Sequence, residues 1–334
     1  MKEVQLPIQK NPAIQSEGLL AYCIALLYHH PYFEQWYYSH HITVQFVSPD
    51  KKESEAVPYL RFFSLHSKLC DLLDYEDVQP AACGADVQSR LKRFKEKIAA
   101  GYYIFLQVNE KYVPNTKAEK DDRDYLHGQL LYGYSETKQE FYMLTYDIHS
   151  KVLANSITYF NMEKAIQTAS PTLPYTFYKY KSTTYEYDYF RILSSFLCYS
   201  GCYEQFVDES SGTTVSTGSQ AVERLMELLI SSKSNTYYDI RPVAGFREHK
   251  QVILDSLYHL KKIGFRVPDK RIQEYRPVVQ KALTVEMLYM KYNITRNATI
   301  IDKMVALIKE TLEVEKRIFP EMAEMIAKAY LGLQ

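Results

Sequence analysis

The chain has 334 residues, of which 46% are hydrophobic and 24% charged. Such a balance is ordinary for a globular protein, too apolar for a disordered one, and supports a substantial core in one large or two modest domains. Forty Lys and Arg side chains offset forty Asp and Glu, so a phosphate-backbone partner, which calls for a net basic face, is not expected.

The opening stretch, MKEVQLPIQKNPAIQSEG, lacks the unbroken apolar segment of a signal peptide. No run of about 18 apolar residues exists, so no membrane span is expected and the chain reads as cytoplasmic. The cysteines, Cys23, Cys70, Cys83, Cys198 and Cys202, are odd in number and irregularly spaced. That pattern reads as free thiols in a reducing compartment.

In chain order, SEGLLAYCIALLYHH (16–30) has helical apolar spacing and stops before Pro31. WYYSHHITVQFV (36–47) is aromatic and β-branched and reads as a strand. DVQSRLKRFKEKIAAG (86–101) is an amphipathic helix closed by Gly101. YYIFLQVNEKYV (102–113) follows as a strand, and PNTKAEKDDRD (114–124) as a charged loop. YLHGQLLYGYSETKQEFYMLTYD (125–147) reads as a β-hairpin, and NMEKAIQTA (161–169) as a short helix with Asn161 as N-cap. YTFYKYKSTTYEYDY (175–189) alternates like a strand and DYFRILSSFLCYSG (188–201) is helical. ESSGTTVSTGSQ (209–220) reads as a linker or mobile loop. Beyond it, helices are expected at 219–232, 246–263, 270–292 and 298–331, with Pro320 kinking or restarting the last. The fold class is therefore α+β, cut into a mixed domain over 1–210 and a helical domain over 211–334.

The hairpin carries the chemistry. With its loop centred on Thr137, Gly133 faces Phe141, Leu131 faces Met143, Gln129 faces Thr145 and His127 faces Asp147. Opposed side chains lie about 4.5–5.5 Å apart at Cβ, close enough for a carboxylate to hold an imidazole. A one-residue slip would send the two to opposite faces, so a loop of three or five residues keeps the pair and one of two or four breaks it. A carboxylate beside a histidine fixes its tautomer and supports proton transfer. A satisfied polar pair on a sheet is the blander reading of the same residues.

The strand GYYIFLQVNEKYVP, the run His127-x-x-x-x-x-Gly133-Tyr134 and the downstream Asp147 resemble the papain-like cysteine peptidase fold. More narrowly, they resemble the family of the butirosin biosynthesis protein H N-terminal domain, and are similar to bacteriocin leader-processing peptidases. NPAIQS, WYYSHHITVQF and YYDIRPVAGFREHKQVILDSLYHL carry the same likeness. The resemblance implies a papain-like core with an antiparallel sheet, followed by helices. It also implies acyl transfer from an acyl- or peptidyl-carrier protein, or amide-bond processing, in bacterial specialised-metabolite assembly, with a small-molecule or peptide substrate and no cofactor. In that family a cysteine opens the first helix; here the position holds Ser16. Ser16 is a helix N-cap, a nucleophile activated by His127, or the mark of a degenerate site that only binds. Gln15 would supply an oxyanion donor by analogy with papain-like sites. Cys23, in an apolar run, reads as core.

Other clusters read as bland. His29, His30, His40 and His41 form two doublets without the convergent ligands a metal needs. His149 competes as a base. Asp121, Asp122, Arg123 and Asp124 form a solvated loop or a substrate-facing lid. Arg241 and FREHK (246–250) pair with acidic neighbours or receive a carrier's phosphopantetheine arm.

Overall fold

A computed structural model describes residues 2–48, 58–62, 70–170, 172–199, 206–208, 213–234 and 239–332. The first elements are β1 (Glu3–Gln5), α1 (Gly18–Leu27), α2 (Phe33–His40), β2 (Val44–Ser48), β3 (Tyr59–Phe62), β4 (Leu73–Val78), α3 (Pro80–Cys83) and α4 (Val87–Ala99). Next come β5 (Tyr103–Asn109), α5 (Lys117–Lys120), β6 (Leu126–Ser135), β7 (Glu140–Tyr146), β8 (Val152–Thr158), α6 (Tyr159–Gln167), β9 (Tyr175–Tyr180) and α7 (Tyr189–Leu197). The last are β10 (Phe206–Asp208), β11 (Thr213–Thr217), α8 (Gly218–Ser231), α9 (Arg241–Lys262), α10 (Asp269–Thr295) and α11 (Ala298–Tyr330). The class is α+β, with antiparallel sheets and a C-terminal helical region. No described helix is long and apolar enough to cross a membrane.

The chain divides into two compact units, residues 1–33 with 65–185 and residues 34–64 with 186–334. A cut at 210 matches neither edge. The cause is strand pairing: β2 is hydrogen-bonded to β3 and to β11, so the segment after α1 belongs with the tail.

In the first unit the sheet order is β4-β9-β5-β6-β7-β8, with β1 on β6 beyond the start of β5. Alternation puts Ile104, Leu106, Val108, Leu131, Phe141 and Met143 on one face, where Leu91, Phe94 and Ile98 of α4 and Met162 and Ile166 of α6 cover them. Phe105 points the other way, toward Tyr22 of α1, at 6.3 Å between ring centroids. A β-bulge separates Leu131 from Gly133. Gly133 is required there, because a Cβ would lie 2.6 Å from the Val4 carbonyl oxygen of β1.

Several elements differ from the sequence reading. Residues 33–40 are helical although their composition favours a strand. The ring nitrogens Nδ1 of His40 and His41 donate to the carbonyls of Trp36 and Tyr37, four residues back, and the Tyr37 and His41 rings stack at 4.8 Å. Burial of these rings overrides intrinsic β-propensity. Thr158, not Asn161, caps α6. Residues 213–217 of the expected linker form β11 and Gly218 opens α8, while 209–212 lie outside the described residues. Pro320 sits inside an unbroken α11. The other three expected tail helices appear as α8, α9 and α10.

In the second unit the sheet order is β10-β11-β2-β3, and α2 and α7 to α11 form its helical part. His41 is fully buried, and burial pushes its imidazole from 6.5 down to about 3. Burial and the neighbouring Lys250 charge likewise push His249 well down. Their folded values lie below their unfolded ones, so the unfolded chain takes up protons first as pH falls. Stability should therefore drop below about pH 6.5 by up to about 1.4 kcal/mol per pH unit for each such group. Thermal melts at neutral pH and at about pH 5 should show a lower midpoint in acid, with a shallower dependence for His41→Gln. An equally steep dependence in that variant would remove His41 as a contributor.

Candidate functional site

The site is built around the end of β5. Asn109 is buried, and its side-chain oxygen accepts from the backbone N–H groups of Lys111 and Tyr125, both at 3.2 Å. Its amide nitrogen donates to Asp124 Oδ1 at 2.8 Å and Thr168 Oγ1 at 3.2 Å. This cap turns the chain into a 3-10 turn over Glu110–Tyr112, where a continuing strand was expected to 113. The Glu110 N–H donates to the Tyr125 carbonyl at 2.8 Å, and the Thr116 hydroxyl donates to the Glu110 carbonyl at 3.0 Å.

Held in this way, the Glu110 carboxylate reaches His127. His127 Nδ1 lies 2.7 Å from Glu110 Oε1, and Gln129 Nε2 donates to the same oxygen at 2.6 Å. The Glu110 side chain is 6% exposed and the imidazole 35%. Charge-assisted contacts this short are the strong class of hydrogen bond.

β6 and β7 part at this point. They are paired to each other down to Leu130↔Leu144. β6 then stays on β5 as far as Asn109↔Leu126, and β7 on β8 as far as Tyr146↔Val152. Aromatic rings gather at this fork. Tyr146 is 5.8 Å from His127 and 6.0 Å from Tyr22, and Tyr125 is 5.7 Å from His127. The Tyr22 hydroxyl donates to the Gly128 carbonyl at 3.2 Å. Burial raises its phenol well above the ordinary value, with Tyr146 and Glu110 adding to the effect, so it remains a neutral donor. Gly128 leaves room for the Phe105 ring, which a Cβ would approach to 2.5 Å.

The segment ahead of α1 is tied to the fork by Tyr146, whose hydroxyl donates to the Gln15 carbonyl at 2.8 Å. Ser16 follows directly and is half-buried. It is not the N-cap; that position belongs to Glu17. Gln15 departs from its expected oxyanion role. Its amide nitrogen donates to Asn11 Oδ1 at 2.6 Å and the Pro12 carbonyl at 3.2 Å, and its oxygen accepts from the Val152 N–H at 3.1 Å. Both amide protons are thus engaged in holding the local turn.

Asp147 also departs from its expected role. The carboxylate on His127 comes from Glu110, while Asp147 Oδ1 accepts from the N–H groups of His149 at 2.8 Å and Lys151 at 2.9 Å in the β7–β8 turn. The hairpin loop, 136–139, has four residues, which alone would shift the register. Gly133 accordingly faces Tyr142 rather than Phe141; the bulge then restores the register, so Leu131 does face Met143, but the strands part before positions 127 and 147.

The remaining candidates fall elsewhere. Among the described residues no group of His, Cys, Asp and Glu could hold a metal ion. His30 Nε2 lies 3.4 Å from the Lys181 carbonyl, and His149 is exposed. In the acidic loop Asp122 pairs with Lys111 at 3.1 Å and Asp124 with Asn109. Arg241 pairs with Asp239, and Arg247 with Glu286 at 2.6 Å. His249 and Lys250 are fully buried and closed to a carrier arm. Cys23 is buried as expected, and burial raises the Cys70 thiol to about 12 and Cys83 to about 11, which removes both as nucleophiles. Cys202 lies outside the described residues.

Glu110, Gln129, Tyr22 and Tyr146 escaped the sequence reading. Asn109 was the available signal for Glu110, since an Asn that ends an apolar run caps a turn and re-aims the next side chain. Gln129 was visible as a polar residue at a core-facing position of the hairpin. No protein-family model matches the chain, and no curated protein matches it.

Proposed function

We propose that this chain is an acyl-transfer or amide-processing protein with a papain-like arrangement, in which Ser16 is the nucleophile, His127 the base and Glu110 the group that orients it. The observation that carries the reading is the 2.7 Å contact between His127 Nδ1 and Glu110 Oε1 at the fork, bordered by the turn that bears Ser16. The buried carboxylate keeps the proton on Nδ1 and leaves Nε2 as the acceptor. Ser16 Oγ gives its proton to Nε2 and attacks a thioester or amide carbonyl. The imidazolium then protonates the departing thiolate or amine, and an amine or water releases the acyl group by the same route reversed. The resemblance to the butirosin biosynthesis protein H N-terminal family supports an acyl donor carried on an acyl- or peptidyl-carrier protein in bacterial specialised-metabolite assembly.

The test is incubation with acyl-carrier thioesters, reading the acyl adduct by intact mass. Adduct at Ser16 that disappears in Ser16→Ala and forms far more slowly in His127→Ala is the expected result. Equal turnover by all three proteins rejects the mechanism. A serine where the resemblance calls for a cysteine favours a second reading, a non-catalytic binder of the carrier protein. That reading is supported by carrier binding, in calorimetry, without adduct and unchanged in Ser16→Ala.

A further inference from the structure

Two buried polar atoms where the fork opens have no hydrogen-bond partner among the described residues. Gln129 and Thr145 are both 0% exposed, and neither Gln129 Oε1 nor Thr145 Oγ1 has a hydrogen-bond partner among the described residues. A buried amide oxygen and a buried hydroxyl left in this way cost about 1–3 kcal/mol each. The two residues share a neighbourhood. The last pair joining their strands is Leu130↔Leu144, and Gln129 and Thr145 are the next positions on each strand, where the fork opens. They are held apart by their outer neighbours, Gln129 opposite Leu106 on β5 and Thr145 opposite Leu153 on β8.

We propose that Gln129 and Thr145 bind one internal water between the parted strands, and that this anchor makes Gln129 a positioning residue for the Glu110 carboxylate. The water donates to Gln129 Oε1 and exchanges a hydrogen bond with Thr145 Oγ1, which satisfies both atoms; internal waters typically make about three such bonds. With its oxygen fixed, the Gln129 amide presents Nε2 to Glu110 Oε1, where it donates at 2.6 Å. Glu110 cannot then swing away from His127 without orphaning a fully buried donor. The water does not depend on the proposed function; the positioning role in catalysis rests on it.

The test has a structural arm and a spectroscopic one. A crystal structure at about 2 Å or better should show ordered water within about 3 Å of both Gln129 Oε1 and Thr145 Oγ1. A direct bond between those atoms, or no water there, overturns the site. Nitrogen-15 NMR should show neutral His127 in the Nδ1–H tautomer in the wild type. Gln129→Met, which keeps the volume and removes both polar ends, should shift about half of the population or more to Nε2–H, a free-energy change within the range of one charged hydrogen bond. It should lower kcat about tenfold with KM unchanged. An unmoved tautomer in folded Gln129→Met overturns the positioning role. A moved tautomer in Gln129→Met, with a wild-type protein that never acylates, keeps it and rejects the function instead. Should Gln129→Met fail to fold, Thr145→Val removes only the water's second anchor and should still shift the tautomer about two- to threefold less; no shift overturns the proposal.

Discussion

Replacing Glu110 by alanine should lower the kcat of the proposed acyl transfer about 10³-fold, while glutamine at the same place should cost only about 10- to 100-fold. The difference comes from Gln129. Its Nε2 can only donate, and it meets Glu110 Oε1 at 2.6 Å, beside the 2.7 Å contact to His127. Whatever atom occupies that position must accept. A glutamine at 110 is therefore forced to turn its carbonyl oxygen toward both neighbours. The imidazole keeps its Nδ1 proton and its orientation, and only the charge is lost. Alanine removes the acceptor altogether. The buried Gln129 Nε2 and the half-buried His127 Nδ1 both lose it, the ring can rotate or change tautomer, and stability should fall by about 1–3 kcal/mol as well. Rates on an acyl thioester, thermal melts and the nitrogen-15 spectrum of His127 separate these effects. Alanine at wild-type rate would remove Glu110 from the mechanism. Glutamine as slow as alanine would remove the acceptor argument.

The histidine was legible in the sequence and its partner was not, for a physical reason. Alternation along a strand is a period-two signal, so His127, Gln129 and Leu131 could be placed on one face without coordinates, and Leu131↔Met143 was the pair found. Glu110 lies beyond the last strand residue, Asn109, where direction is set by a cap rather than by alternation. That cap depends on Asp124 and Thr168, which are distant in sequence. The expected His127–Asp147 pair required two strands to remain neighbours to their ends. Strand β7 instead follows β8 into a turn closed by Asp147 itself. The unit boundary was hidden in the same way. Pairing of Val47 with Val215 joins two segments that composition assigned to different domains. The tail helices were legible because their apolar stripes, Pro268 before α10 and the Asn297 cap on α11 are local signals.

Within that tail, Glu315→Leu should destabilise the protein by about 3–5 kcal/mol, while Lys250→Met combined with Glu315→Leu should cost far less, about 0–1 kcal/mol. Lys250 and Glu315 are 0% and 1% exposed, with Nζ at 2.8 and 2.9 Å from the two carboxylate oxygens. Lys250 Nζ also donates to the Tyr199 hydroxyl at 2.6 Å and to His249 Nδ1 at 3.3 Å, and Tyr275 donates to Glu315 Oε1 at 2.5 Å. His249 fits this set only as a neutral ring, accepting from Lys250 on Nδ1 and donating from Nε2 to the Ile42 carbonyl at 2.7 Å. Burial pulls the Lys250 ammonium down against the upward pull of Glu315, so the pair is held by its partners rather than by solvent. Removing the carboxylate alone leaves an uncompensated buried cation and an orphaned Tyr275 hydroxyl. Removing both charges replaces them with apolar volume, which a packed helical interior accepts. The network joins α9, α10 and α11 to Tyr199 at the end of α7, so its geometry sets helix register, and urea melts of the two variants read the cost directly. Equal destabilisation of single and double variants would show that hydrogen-bond geometry, not charge burial, dominates there.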